Sequence, residues 1–188
     1  MQIGHVSSEG GPLLVGDYCV LKQWNGIEND DYDLLIQNPL EDFPHKIGGR
    51  TTIAWDTLGG AVVSVHVKDK GSIVLVRSYE EVAGNDKYVD CPGQDEELIG
   101  VITIISETML VLHATESAAL LEPPRRNSAP GPSGALVFEG SALAIPLCNG
   151  DYRLTSDYVF GGDGFFCAKR LTVEAVEDCG EGIRCHTE

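Results

Sequence analysis

Residues 61–79 read AVVSVHVKDKGSIVLVRSY, and this stretch decides the fold class. Val63, Val65 and Val67 alternate with Ser64, His66 and Lys68, the period of two that sends one set to a buried sheet face and the other to the opposite face. KDKG at 68–71 reads as a hairpin turn, on a weaker signal than an Asn-Gly or Asp-Gly pair. The returning run sets Ile73, Leu75 and Arg77 against Val74, Val76 and Ser78, so that strand is covered on both faces for part of its length.

The same pattern extends along the chain. The 22 glycines recur as punctuation, with pairs at 10–11, 48–49, 59–60 and 161–162. Between them lie PLLVGDYCVL, RTTIAW, IGVITII, MLVLHA, ALVFEG, ALAIPL, DYRLTSDYVF and FFCAKRLTVEAV, short β-branched runs bounded by turn residues. FGGDGFF (160–166) is a hairpin turn rather than a phosphate loop, because no helix follows it. Helix signals are few: Asn29, Asp30 and Asp31 cap a short helix over 32–37, and 116–121 makes one turn. The expected architecture is mainly β, either an antiparallel β-sandwich or two small packed β halves with few short helices. An N-terminal half covers 1–90 and a C-terminal half 91–176, the boundary falling in the acidic stretch 86–97. EPPRRNSAPGPSG (122–134) is a long exposed loop of the second half, and 177–188 is a mobile tail.

Chemistry is harder to find. The histidines are scattered, none beside a nucleophile motif, with His66 and His113 on strands and His45 in a loop. ENDDYD (28–33) lacks the glycine and distal glutamate of a calcium loop, and the cysteines lack zinc-ligand spacing, so no metal or cofactor is expected. Cys19, Cys148 and Cys167 read as small buried hydrophobes; Cys179 and Cys185 flank the tail, reduced in a cytoplasmic protein. MQIGHVSSEGG has no signal-peptide character, and no apolar run nears the ~20 residues of a membrane helix, so a cytoplasmic, soluble protein is expected.

Charge is the remaining feature. Against 13 Lys and Arg stand 29 Asp and Glu, a formal charge of -16. Such a field disfavours nucleic acid and anionic membrane and speeds encounter with basic partners. The charge lies in blocks. Glu28, Asp30, Asp31, Asp33, Glu41 and Asp42 share a stretch without Lys or Arg. Glu80, Glu81, Asp86, Asp90, Asp95, Glu96 and Glu97 oppose only Lys87. A solvated acidic face is the ordinary reading of either block alone. The functional reading is an anionic loop surface for a cationic partner, with Trp24, Tyr32, Phe43, Tyr79 and Tyr88 as aromatic anchors.

Several segments carry a resemblance. SSEGGPLLV (7–15), QWNG (23–26), NDDYDLLIQ (29–37) and IVLVRSYEE (73–81) resemble the family numbered twenty-one among the immunity proteins of bacterial polymorphic toxin systems. Ser8, Gly10, Gly11, Pro12 and Leu13 match its opening Ser-x-Gly-Gly-Pro-Leu motif. ALAIPLCNGDYRLTSDYVF (142–160) with FFCAKRL (165–171) looks like its closing module, a less specific match because a nuclease-inhibitor family has similar strands. The loop 122–134 and the tail have no counterpart. The resemblance implies a non-catalytic protein that neutralises a cognate toxin in the cytoplasm, and the acidity implies a basic toxin such as a nuclease. The candidate contacts are Glu28, Asp30, Asp31, Asp33, Glu41 and Asp42 of the first block and Glu80, Glu81, Asp95, Glu96 and Glu97 of the second, with Trp24 and Tyr32. A carbohydrate- or ligand-binding β-sandwich, with Trp24, Trp55 and Tyr158 forming an aromatic site, is the competing expectation.

Overall fold

A computed structural model describes residues 1–8, 10–37, 41–57, 59, 61–68, 72–78, 85–119, 121–122, 136–138, 140–161 and 164–176. The proline-rich loop beyond Glu122, the tail 177–188, and Tyr79, Glu80 and Glu81 lie outside the described residues. The strands are β1 (Gln2–Ser8), β2 (Leu13–Asp17), β3 (Phe43–Ile47), β4 (Arg50–Trp55), β5 (Ala61–Val67), β6 (Ile73–Ser78), β7 (Gln94–Ile104), β8 (Thr108–His113), β9 (Leu136–Phe138), β10 (Ala142–Pro146), β11 (Gly150–Phe160) and β12 (Phe166–Ala175). Three short helices join them: α1 (Tyr18–Leu21), α2 (Asp31–Ile36) and α3 (Asp86–Val89).

The two strands read within 61–79 pair antiparallel, with Val65 opposite Leu75 and Val67 opposite Ile73, while residues 69–71 of the expected turn lie outside the described residues. They lie in a six-stranded antiparallel sheet ordered β1-β5-β6-β12-β11-β7. A second sheet is ordered β3-β4-β2-β8-β10-β9, and the two pack face to face as a sandwich. Each sheet draws strands from both sides of residue 90. β6 pairs with β12, and β2 with β8, so the boundary expected at 90 divides neither sheets nor core.

Continuous apolar runs are explained by layers on both sides of each sheet. In β2 and β8, Leu13, Val15, Met109 and Val111 face the core between the sheets, whereas Leu14, Leu110 and Leu112 face outward. Outward in the second sheet is not solvent: Tyr18, Leu21, Trp24 and Leu35, from α1, α2 and the loop between them, cover that face. The first sheet has a smaller cover, where Tyr88 and Val89 of α3 sit on Val74, Val76, Val159 and Ala168. Ser64 and His66 therefore do not face water, as simple alternation suggests, but are fully buried.

Local chemistry departs from the sequence reading in four places. α2 begins at Asp31, and Asp30 ahead of it takes φ +61° and gives no side-chain cap. Among the described residues after Glu116 there is no helix, only a turn closed by Leu121 N donating to Ala118 O at 3.1 Å. His45 lies on β3 rather than in a loop, half-buried with its ring edge-on to Trp24. Cys19 and Cys148 are exposed and Cys167 half-buried, so none is the buried hydrophobe expected. The Gly-Gly-Pro opening behaves as its residues suggest. Gly10 takes φ +114°, and a Cβ at Gly11 would meet the Tyr32 hydroxyl at 2.9 Å and His113 Nε2 at 3.2 Å.

Candidate functional site

One end of the sandwich collects the start of β3, the end of β4, the start of β7 and the hairpin between β11 and β12. Register brings them together: Tyr158 pairs with Lys169 on one side and Gln94 on the other, while Phe43 pairs with Ala54. Tyr158 and Lys169 share the inward face, as Ser156 does beneath them, where its Oγ accepts from Trp55 Nε1 at 3.4 Å.

A lysine on an inward face needs a counter-charge. Lys169 Nζ donates to Asp42 Oδ1 at 2.7 Å and to Asp56 O at 2.8 Å. It also lies 5.9 Å from the Trp55 ring centroid and 5.7 Å from that of Tyr158, where the aromatic faces stabilise a cation. Asp42 Oδ1 further accepts from Asp56 N at 2.9 Å. Asp42 is thus a buried counter-ion rather than the exposed contact expected.

The carboxylates around Tyr158 come from remote stretches. Burial first, and then Asp42, Asp56, Glu97 and Asp95, push the Tyr158 hydroxyl above its ordinary pKa. Both acidic blocks therefore act electrostatically on Tyr158, one through Asp42 and the other through Asp95 and Glu97. Asp95, Glu96 and Glu97 are exposed and lie on β7, not in the loop predicted for them. Tyr158, opposite Gln94 of β7, belongs to an aromatic cluster: Tyr158 and Phe166 are edge-on at 5.9 Å, Phe160 and Phe166 at 6.3 Å. Phe165, in the hairpin turn, is 73% exposed. Acid next to partly exposed aromatics is a surface suited to lysine and arginine side chains.

The other candidates fall elsewhere. Glu28, Asp30 and Asp33 are exposed over the outer layer of the second sheet. Asp31 Oδ2 accepts from the backbone and side-chain nitrogens of Asn25 at 3.1 and 3.2 Å. Tyr32 is half-buried against Gly11 and His113, and Glu41 is exposed just before β3. Trp24 is no surface anchor: it is buried, with Nε1 donating to Ala114 O at 2.8 Å. Tyr88 is likewise buried, on the side of α3 that packs on the first sheet. Trp24 and Trp55 belong to different layers and do not join Tyr158 in one aromatic concavity.

Sequence reasoning missed a second polar cluster. His66 Nε2 is 2.8 Å from Ser64 Oγ, and His66 Nδ1 is 3.1 Å from Asp86 Oδ1. Asn85 Nδ2 donates to Ser64 Oγ at 2.9 Å and to Val76 O at 3.3 Å, while Ser78 Oγ donates to Asn85 Oδ1. The spacing is that of a nucleophile relay, but Ser64 and His66 have no solvent exposure, which an attacking hydroxyl needs. Burial lowers the His66 pKa against the opposing pull of Asp86 at the start of α3.

Among the described residues no three His, Cys, Asp or Glu side chains converge to hold a metal ion, and no helix is long and apolar enough to cross a membrane. No protein-family model, curated protein or solved structure matches this chain.

Proposed function

We propose that the protein is an immunity protein, one that binds a cognate bacterial toxin of basic surface in the cytoplasm and blocks it without catalysis. The observation that carries this reading is the exposed run Asp95–Glu97 on β7, set beside the part of β11 where Tyr158 lies opposite Gln94 and packs with Phe160 and Phe166, at one end of a two-sheet core. An inhibitor of this kind needs a prearranged surface, because ordering a loop on binding subtracts from affinity. Here β7, β11 and β12 hold the acids and rings on sheet elements. The chain's charge of -16 adds long-range attraction for a basic partner and disfavours nucleic acid and anionic membranes as partners. The resemblance of residues 7–15, 23–26, 29–37 and 73–81 to a toxin-immunity family points the same way. The acidic surface occupies the toxin's cationic substrate groove, so that binding and inhibition are one event.

The test is co-expression. The toxic domain encoded beside this gene arrests growth when expressed alone, and this protein restores growth and co-purifies with it in fixed stoichiometry. Growth arrest that persists despite full expression of this chain overturns the reading.

A further inference from the structure

Lys169 sits on β12 of the first sheet and Asp42 just ahead of β3 of the second, 127 residues away in the chain. Their side chains are only 3% and 8% exposed. Lys169 Nζ is 2.7 Å from Asp42 Oδ1. Asp42 Cγ is therefore within about 4 Å of the amine, since a carbon–oxygen bond adds at most ~1.2 Å. That is near the ~3–3.5 Å separation of groups placed to react. Asp56 holds both partners by its backbone: its carbonyl accepts from the amine at 2.8 Å, and its N–H donates to Asp42 Oδ1 at 2.9 Å. The Trp55 and Tyr158 ring centroids lie 5.9 and 5.7 Å from the amine, so aromatic carbon flanks it. Other ion pairs lack one part of this setting. Lys68 and Asp90, at 3.1 Å, are 38% and 81% exposed, where water keeps both as ions. Arg170 and Asp157 are buried, but a guanidinium keeps its proton and is no nucleophile.

We propose that Lys169 and Asp42 condense to an amide, a covalent bolt between the two sheets. The ion pair is the reactant. One proton passes from Nζ to Oδ1 along the hydrogen bond, and a dry site assists because two charges disappear. The amine lone pair forms the bond to Cγ, and the carbonyl electron pair moves onto Oδ2. When that pair returns, the Cγ–Oδ1 bond breaks, and Oδ1 takes a second proton from nitrogen and departs as water. The Asp56 N–H already points at Oδ1, the oxygen that gathers charge as it leaves. An ammonium and a carboxylate thus become one amide and one water, with no oxidant or co-reactant. The bond restricts the unfolded chain as a disulfide does, without an oxidising compartment. The inference does not depend on the proposed toxin partner.

The experiment follows the intact mass of the full chain, incubated folded and then denatured, together with tryptic mapping. Condensation predicts that most wild-type molecules are lighter than their sequence requires by one water. It also predicts a branched tryptic product in which residues 23–46 are joined to 154–170. Lys169→Arg retains the positive charge but offers no amine, and its mass stays at the sequence value whether or not it folds. A wild-type mass that remains at the sequence value after prolonged incubation overturns the proposal. A lost water that maps to another residue, such as a cyclised aspartate, or that Lys169→Arg loses equally, also overturns it. The toxin reading is decided separately, by co-expression.

Discussion

Lys169 and Asp42 form an ion pair at 2.7 Å across the sandwich, with side chains only 3% and 8% exposed. Lys169 belongs to the first sheet, while Asp42 immediately precedes β3 of the second, so the pair ties the two sheets at the acidic end. It also sorts the acidic residues there: Asp42 is neutralised within the fold, and Asp95 and Glu97 remain exposed on β7.

Breaking the pair from one side leaves an unpaired buried charge. Asp42→Asn or Lys169→Met is expected to cost about 3–5 kcal/mol, and the double variant less than the sum of the two. Urea unfolding of the four proteins in the cycle measures this. Single variants with wild-type midpoints would show that the pair contributes no stability.

Arg170 does the corresponding work on the outer face. Its guanidinium is bound to both oxygens of Asp157, which raises its pKa, and Nη1 donates to the carbonyls of Tyr88, Val89 and Cys91 at 2.8, 3.2 and 2.7 Å. An ammonium cannot reproduce that planar fork. Arg170→Lys is therefore expected to speed amide exchange across residues 86–91 more than in the sandwich core. Uniform acceleration throughout the chain contradicts this placement.

The fold class was legible because its signal is local. Alternation in residues 61–67, with the glycine punctuation, identifies strands without knowledge of their partners. The site was less legible because it depends on pairing. Nothing near Lys169 or Arg170 announces burial, since their counter-ions Asp42 and Asp157 are recruited by register and sheet packing. Asp95–Glu97 looked like a loop because three consecutive acids disfavour strands, yet an edge strand tolerates them in solvent. Trp24 was misjudged for a related reason. Its neighbours Gln23 and Asn25 are polar, but the backbone turns the indole beneath the outer layer to reach Ala114 O.

Acid sensitivity should arise from two histidines. Burial lowers the pKa of His66, opposed by Asp86 and reinforced by the N-terminal amine, and it lowers that of His45, opposed by Asp31. The unfolded chain then binds protons that the folded chain does not. The stabilising effect is complete above the unfolded value of about 6.5 and is lost as pH falls through the lowered folded values. The double variant His45→Gln, His66→Gln should show a shallower decline in unfolding free energy below that pH. An unchanged slope would assign the decline to other groups.

The most direct measurement is the association rate of this protein with the cognate toxic domain that the proposed function requires, taken over a range of salt concentrations. The acidic surface predicts a wild-type rate that falls steeply with salt. It also predicts a rate about 10- to 100-fold lower at low salt for Asp95→Lys, Glu97→Lys, with an unchanged urea midpoint. An equally fast, equally salt-sensitive association by the charge-reversed protein would contradict it.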